Sequence, residues 1–507
     1  MNYPDFYSAL FRATLPETAL EVAALLVLVV DLGLLRKAAS STRTVVAALV
    51  GVAGCSAAIW GVYAAGWAGI SAGSDVLLSA GGSAGVAQIA ILALTALTLL
   101  LLIDSSFTRH PGEFVAVVLM SAAGGLLISA AQDLLVIFVG LELLSLGLYI
   151  LSAFAKHSGQ SAEASLKYYL FGGMSAAFLL FGFSYLYGLS GSTNLSQVAL
   201  GTYFAAAHGG TPLLLIALVM IAAGLGFKVA AVPFHLWAPD TYEGAPVPAA
   251  AFIASVSKVA SFALLISIST AALHFLDNLL FKTNATFFGF ADAWRLILIL
   301  LAVASMLVGN LAALAQISVR RLLAYSAMAH AGYILLGLAY FSSSNLSAAA
   351  ILYYVLTYGL TTIGAFGVIA VVEKATGSNR LDAFLGLQKR NPLLASILLI
   401  LFLSLAGIPP LVGFWAKFNL FAAVLHSSSG ALPISLVALA IAMSAVSLYY
   451  YLQVLKRAFV LPAVDDTPIH AHPVTMTVLL FIAAAIVALG CFPALLQNWI
   501  ASFYLGW

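Results

Sequence analysis

Long apolar stretches, each of roughly twenty residues, recur along this chain and constrain its fold more than any other feature. A helix of about 20 apolar residues is long enough to cross the hydrocarbon core of a bilayer. Of the 507 residues, 63% are hydrophobic and 7% are charged, whereas soluble domains carry about 25% charged residues. The pattern therefore excludes a soluble protein and predicts an all-α protein that crosses the membrane many times.

We predict fourteen membrane spans, joined mostly by short connections. They start near residues 15, 44, 87, 113, 133, 165, 211, 245, 293, 320, 346, 393, 432 and 474. We expect four segments along the chain: a three-helix segment (1–112), two five-helix units (113–274 and 275–456), and a C-terminal loop with the last helix (457–507). The two five-helix units are called the first and second unit below.

The distribution of lysine and arginine predicts the orientation, because cytoplasmic loops carry an excess of these residues. Basic residues that follow the odd-numbered spans are Arg36, Lys37, Arg43, Arg109, Lys156, Lys167, Arg320, Arg321, Lys374, Arg380, Lys389, Arg390, Lys456 and Arg457. The opposite side holds Arg12, Lys282 and Arg295. We therefore expect both termini on the non-cytoplasmic side of a bacterial inner membrane.

Four charged residues lie inside apolar stretches: Glu142, Lys228, Lys258 and Lys417. A charge at the bilayer centre costs roughly 2.5 to 3.5 kcal/mol even on the lenient insertion scale. Ionisable groups at that depth usually have a function or a charged partner. His330 also falls near the middle of its predicted span, and His235 falls near the edge of another.

Spans 7 and 12 carry helix breakers beside their lysines. Pro233 follows Lys228, and the segment 407–410, which reads GIPP, precedes Lys417. Proline removes a backbone donor, and paired broken helices in halves of opposite topology point to an inverted-repeat transporter. Spans 4–8 and 9–13 would be the two repeats, and the same offset relates Glu142 to His330.

These side chains suit proton transfer. A buried amine loses affinity for its proton, and a nearby carboxylate restores it. Glu142 is the expected partner of Lys228, with Lys258 and His330 as relay stations and Lys417 as the far terminus. Sodium is a poorer cargo, because a hard cation needs several oxygen ligands and one carboxylate stands here among several bases.

Structural interpretations stay open beside the functional ones. Glu142 could serve as a structural ion-pair partner, and the lysines could stabilise the broken helices. Lys258 could bond carbonyls that the breaks leave free. A lone histidine such as His330 is often satisfied packing, and His235 could be a capping residue.

Redox cofactors are not expected in this chain. Its two cysteines, Cys55 and Cys491, are too few for an iron–sulfur cluster, which takes four cysteine ligands. Gly224 and Gly226 lack the third glycine and the preceding strand of a dinucleotide-binding motif. No cluster of basic residues suggests nucleic acid, and no removable signal peptide is expected.

Several segments resemble a known family. These are FKVAAVPFHLWAPDTYEGAPVPAAAFIASVSKVA around spans 7 and 8, DLLVIFVGLELLSLGLYILSAF, RRLLAYSAMAHAGY and LAGIPPLVGFWAKF. They are similar to the antiporter-like N subunits of proton-pumping NADH:quinone oxidoreductase, respiratory complex I. By position, Glu142, Lys228, Lys258, His330 and Lys417 match the charged residues that form a hydrated polar axis in that family.

The resemblance implies proton translocation that is driven by quinone reduction elsewhere in a complex. NADH, FMN, iron–sulfur clusters and quinone would lie in partner subunits, and the other membrane-arm subunits and lipid would surround this chain. Two alternatives stay open: a subunit of a multisubunit sodium/proton antiporter or membrane-bound hydrogenase, and a stand-alone solute carrier.

Overall fold

The computed structural model of the protein describes residues 10–64, 77–79, 81–280, 290–341, 345–428, 430–463 and 467–505. Lys282, assigned above to the side with few basic residues, lies outside them. Within the described residues the chain consists of helices and their connections, and β-pairing is limited to isolated bridges. The expected all-α fold is confirmed.

Nineteen α-helices are numbered here in chain order. They are α1 (Leu15–Val29), α2 (Ser40–Ala64), α3 (Gly82–Leu102), α4 (Pro111–Ala130), α5 (Leu134–Ser152), α6 (Gly159–Ser190), α7 (Leu195–Ala205), α8 (Thr211–Val229), α9 (Ala238–Gly244), α10 (Val247–Leu280), α11 (Phe290–Leu314), α12 (Val319–Ala339), α13 (Asn345–Thr376), α14 (Leu387–Arg390), α15 (Pro392–Ala406), α16 (Val412–Ser427), α17 (Ala431–Phe459), α18 (Pro473–Cys491) and α19 (Pro493–Leu505).

Each of the fourteen predicted spans corresponds to a helix. The largest disagreement in a start is at α6, which begins at residue 159 rather than near 165. Twelve helices in the described residues are long and apolar enough to cross a membrane. The other two spans are α1, which a π-helical turn extends to Leu34, and the short apolar α15.

The connections hold additional helices. The polar-leaning stretch around 190–210 contains α7, and the C-terminal segment contains α19 after the last span. Proline lies in the first turn of both α9 and α19, since proline is tolerated where the helix N–H groups lack partners. The division of the chain into four segments stays a prediction.

Spans 7 and 12 are broken, as predicted, and they are broken in the same way. The first half of span 7, α8, ends at Val229 and is followed by Ala230 with φ of 57°. The first half of span 12, α15, ends at Ala406 and is followed by Gly407 with φ of 88°. A left-handed residue directly after a helix is a common C-terminal stop.

The hydrogen bonds at the two stops also match. The amides of Ala230 and Ala231 bond to the carbonyls of residues 227 and 226. The amides of Gly407 and Ile408 bond in the same pattern to the carbonyls of residues 404 and 403. This arrangement leaves the last two carbonyls of each half-helix without a backbone donor. Both broken spans therefore need donors from elsewhere.

Loops that follow the odd-numbered spans contact one another. Lys374, after span 11, pairs with Asp104, after span 3, at 2.6 Å. Arg457, after span 13, lies 3.8 Å from Asp382. These loops therefore share one end of the molecule, as the fourteen-span arrangement requires. We call this end the basic face.

Candidate functional site

Four of the five basic side chains singled out from the sequence are buried. Lys228 is 8% exposed, Lys258 2%, His330 4% and Lys417 6%. They lie on α8, α10, α12 and α16, so the first and second units each contribute two of them. Burial at this depth makes each one expensive unless hydrogen bonds satisfy it.

Lys258 and Lys417 supply the donors that the broken spans lack. The Lys258 ammonium donates to the carbonyl of Val229, the last residue of α8, at 3.2 Å. The Lys417 ammonium donates to the carbonyls of Leu405 and Ala406, the last residues of α15, at 3.1 and 2.8 Å. A cation at a helix C-terminus also meets the negative end of the helix dipole. The half-helix ends thus fix the positions of both amines.

Each of these two amines has a further contact. Lys258 donates to the carbonyl of Ala327 on α12 at 2.8 Å, which joins the first unit to the second. Lys417 donates to the hydroxyl of Ser444 on α17 at 2.7 Å. All of these partners are uncharged oxygens. Neither ammonium has a carboxylate partner among the ion pairs of the described residues.

Lys228 contacts a serine rather than the predicted glutamate. Its ammonium donates to Ser145 Oγ on α5, and that hydroxyl in turn donates to the carbonyl of Leu141. Glu142 lies one turn before Ser145, is half-buried, and interacts with Lys228 electrostatically. No ion pair joins the two charges within the part of the chain that the structure describes. Lys228 is therefore held by a neutral hydroxyl, with Glu142 acting on its charge without a direct ion pair.

Removing the Ser145 hydroxyl tests this arrangement. In Ser145→Ala the Lys228 ammonium loses its neutral acceptor, and a hydrogen bond to a charged group contributes roughly 1.5–3 kcal/mol. If the amine carries protons, we expect the pumping rate of the intact complex to fall several-fold without loss of assembly. Ser145→Thr keeps the hydroxyl and should keep most of the rate. Equal pumping by both variants would exclude a role for this hydroxyl.

His330 is surrounded by phenols. Its Nδ1 is hydrogen-bonded to the hydroxyl of Tyr354 at 2.8 Å, and its Nε2 lies 3.4 Å from the hydroxyl of Tyr451. The Tyr451 hydroxyl also bonds to Ser326. Both ring nitrogens therefore have a partner that can either donate or accept a proton.

Tyrosine rings also connect His330 to the lysines on either side. Tyr358 lies 5.9 Å from the Lys258 nitrogen and 4.9 Å from the His330 ring. Tyr333 lies 5.5 Å from the Lys417 nitrogen and 5.8 Å from the His330 ring. A small cavity beside His330 has a volume of about 10 Å³. A buried water needs roughly 10–15 Å³ on the same measure, so this cavity is close to the size of one water molecule.

His235 occupies a different position from the other candidates. It lies in the break between α8 and α9 and is half-buried. Its carbonyl accepts from the amide of Ala238 at 2.9 Å, while its buried Nδ1 has no hydrogen-bond partner among the residues that the structure describes. The structure therefore does not bring His235 into the row of buried bases.

The residues that complete this row were not singled out from the sequence. Ser145 lies three residues after Glu142, on the same face of α5, so helical periodicity could have suggested it. Tyr333, Tyr354, Tyr358, Tyr451 and Ser444 are polar groups within apolar helices. Hydroxyl groups are common in such helices, so position alone does not distinguish these from the rest.

The side chains that usually bind metal ions are not clustered in the described part of the chain. Among the described residues, no group of three or more His, Cys, Asp or Glu side chains is arranged to hold a metal ion. Cys55 is buried and Cys491 is exposed, and neither forms a disulfide. What the site offers is a row of hydrogen-bonding groups that can carry protons.

Comparison with known proteins places this arrangement in a family. The family model described as "NADH:quinone oxidoreductase/Mrp antiporter, TM" matches residues 131–444, more than half of the chain. NADH-quinone oxidoreductase subunit N 2 of Acidobacterium capsulatum is 49% identical, over 98% of this chain and 99% of the relative.

Two solved structures share the fold. A chain of respiratory complex I from Thermus thermophilus superposes with a TM-score of 0.75 and 32% identity, over 95% of this chain and 98% of that one. A chain of an archaeal respiratory complex, the membrane-bound sulfane sulfur reductase, gives 0.81 and 24% identity, over 96% of each chain. With its matched half-helix breaks and buried lysines, this chain belongs to the family of NADH-quinone oxidoreductase subunit N.

Proposed function

We propose that this chain translocates protons through the row formed by Glu142, Lys228, Lys258, His330 and Lys417, as a membrane-arm subunit of NADH:quinone oxidoreductase. One observation carries the proposal: buried protonatable groups follow one another from the first unit into the second. Every amine in the row is held by neutral oxygens rather than by a fixed ion pair. An amine held in this way keeps a proton that it can still give up.

The contacts between neighbouring groups support one order of proton transfer. Ser145, one turn from Glu142 on α5, accepts from Lys228, and the carbonyl of Val229, the residue after Lys228, accepts from Lys258. Lys258 bonds to α12 one turn before His330. Tyr333 and Tyr354 then extend the row towards Lys417. We infer that small changes in the distance from Glu142 to Lys228 load and release the first proton.

A buried amine with one charged neighbour can supply the free energy needed to move a proton against the membrane potential. Moving one charge against the membrane potential takes about 2.3 kcal/mol per 100 mV. Moving one proton against a gradient of roughly 150–200 mV therefore takes about 3.5–4.6 kcal/mol. This energy equals a change of about three units in the pKa of the group that carries the proton. Burial and one charged neighbour can together produce a change of that size.

The proposed function also includes an orientation in the membrane and a set of partner subunits. We propose that the basic face is cytoplasmic, because loops of that side carry the excess of lysine and arginine. Both termini would then face the other side of a bacterial inner membrane. NADH oxidation and quinone reduction, with FMN and iron–sulfur clusters, would take place in partner subunits. The chain's own part in the enzyme would be proton transfer.

Lys228→Ala in the intact complex tests the function. The change removes the amine that receives the proton next to Glu142, so we expect an assembled complex in which proton pumping is strongly reduced or lost. Lys389→Ala is a matched control, since Lys389 is an exposed lysine on the basic face. Pumping is measured by acidification of proteoliposomes during NADH oxidation. Normal pumping by an assembled Lys228→Ala complex contradicts the proposal.

The same assay separates protons from sodium as the cargo. Hard cations need several oxygen ligands, and this row offers one carboxylate among amines and phenols. We therefore expect pumping to be independent of sodium concentration.

A further inference from the structure

The short helix α9, the second half of broken span 7, lacks backbone donors at its C-terminal end. The carbonyl of Tyr242 would accept from residue 246 if the helix continued, but residue 246 is proline. Ala245 itself is extended (φ −67°, ψ 152°), so its carbonyl leaves the helix, and no backbone amide of the described residues donates to it. The sequence that ends α9 thus leaves two carbonyls in need of donors.

Arg320, on α12 of the second unit, supplies those donors. Its Nε donates to the carbonyl of Tyr242 at 2.8 Å, and its Nη2 donates to the carbonyl of Ala245. Its Nη1 lies 3.3 Å from a carboxylate oxygen of Glu373 on α13. The planar fork of arginine presents several N–H groups at fixed angles. One side chain therefore joins the end of α9 to two helices of the second unit.

This guanidinium is enclosed rather than displayed on the surface. The Arg320 side chain is 5% exposed, and that of Glu373 is 29% exposed. A cavity of about 400 Å³ at the basic face is lined by both side chains and by residues 243–248. Solvent can therefore reach the cluster through this cavity, although the guanidinium itself is buried.

The other end of α9 is held by neighbouring residues. Asp240, in the first turn of α9, accepts from Lys167 at 2.7 Å and from Arg321 at 2.6 Å. Two successive arginines of α12 thus hold the two ends of α9.

Arg320 also lies on the face of α12 that reaches the proton row. The carbonyl of Ala327, seven residues later and two turns deeper, accepts from Lys258. The helix that follows Pro246 is α10, which carries Lys258. Helix α12 therefore contacts broken span 7 through Arg320, and it contacts the next span, α10, through the carbonyl of Ala327.

We propose that Arg320 is a positioning residue for proton transfer: by holding the end of α9, with Glu373, it sets where Lys258 meets α12. The inference rests on the proposed function of the row. Arg320 touches none of the protonatable groups of the row in the described contacts, so it acts through α9 and α10. Loss of its guanidinium should allow the start of α10 to shift and weaken the connection from Lys258 to His330.

Arg320→Ala, followed by chemical rescue, tests the proposal in the intact, reconstituted complex. We expect protons pumped per electron to fall about threefold or more, while electron transfer from NADH to quinone continues. Millimolar guanidinium on both sides of the membrane should restore more than half of the loss, because the cavity gives it access to the site. Choline chloride at the same concentration controls for ionic strength and should restore nothing.

Two further variants complete the test. Pro246→Ala frees Ala245 from the extended conformation that a following proline favours, so that α9 can continue and residue 246 can donate to the carbonyl of Tyr242. It should partly restore pumping in the Arg320→Ala background. Lys389→Ala is the control, since Lys389 is an exposed base on the basic face outside α9, and it should change pumping by less than about twofold.

Normal pumping by the Arg320→Ala complex overturns the inference, and so does a loss that neither guanidinium nor Pro246→Ala relieves. If Arg320→Ala prevents assembly, Glu373→Gln decides: reduced pumping in an assembled complex supports the inference, and normal pumping overturns it. Lys258→Met in the same preparation distinguishes a failure of the Arg320 inference from a failure of the proposed function. If that variant pumps normally, the proposed function itself fails, whatever Arg320 does.

Discussion

A complex that carries Lys258→Arg is expected to assemble and to oxidise NADH, but to pump protons about tenfold or more slowly. Arginine keeps the positive charge and can still donate to the carbonyls of Val229 and Ala327, which accept from Lys258 at 3.2 and 2.8 Å. It cannot release its proton in a protein. The substitution therefore keeps the hydrogen bonding of the site and removes its proton chemistry.

This experiment decides between the two interpretations of Lys258. If the lysine only satisfies carbonyls freed by the break, the arginine variant should pump nearly as well as the natural protein. Because arginine is larger, Lys258→Met serves as the companion variant: it fits a similar space but donates nothing. Both interpretations expect the methionine variant to fail, so only the arginine variant separates them. Pumping is measured as protons moved per electron, with the electron-transfer rate as the control for assembly.

Arg43→Ala is expected to destabilise the N-terminal three helices by about 3–5 kcal/mol, since it leaves a buried charge without its partner. Asp31, in the π-helical turn after α1, is 1% exposed and accepts two hydrogen bonds from Arg43 at 2.7 Å each. Gly112, at the start of α4, packs so closely on Asp31 that any larger side chain there would overlap it. The carboxylate therefore has little access to water.

The destabilisation is measured as a lower midpoint temperature for loss of this subunit from the purified complex. The control replaces both partners, Asp31→Leu with Arg43→Met, because an apolar pair of similar size often restores the stability lost with one ion. A single variant as stable as the natural protein, or a double variant as unstable as the single one, would contradict the prediction. Proton pumping is not expected to decide this test, since the pair lies outside the proton row.

Hydropathy and proline positions were sufficient to predict the spans and the two breaks. Both signals are local: a run of apolar residues forms a helix wherever lipid or protein surrounds it, and proline ends the hydrogen-bond ladder in any context. For the same reason the charges in α8, α10 and α16 were recognised as buried from their neighbours in sequence. The prediction that Glu142 is the partner of Lys228 depended on tertiary distance: the Lys228 ammonium donates to Ser145, while Glu142 acts on it electrostatically without an ion pair among the described residues.

Partners from distant parts of the chain could not be predicted. Lys228 and Ser145 are 83 residues apart in sequence, and Arg320 and Ala245 are 75 apart. Arg320 counted only as one more basic residue of a loop when the orientation was predicted, yet it is buried and holds the end of α9. Nothing in its immediate sequence distinguishes it from Arg321, which is partly exposed.

Residue type and spacing alone predict about fourteen membrane spans, two interrupted spans and several buried bases, because these signals act over one or two helical turns. The oxygens that hold each amine follow from the packing of the helices, because the carbonyls freed at the two breaks accept from side chains of other helices. The packing of the helices against one another thus brings the buried amines and their hydrogen-bond partners into one row.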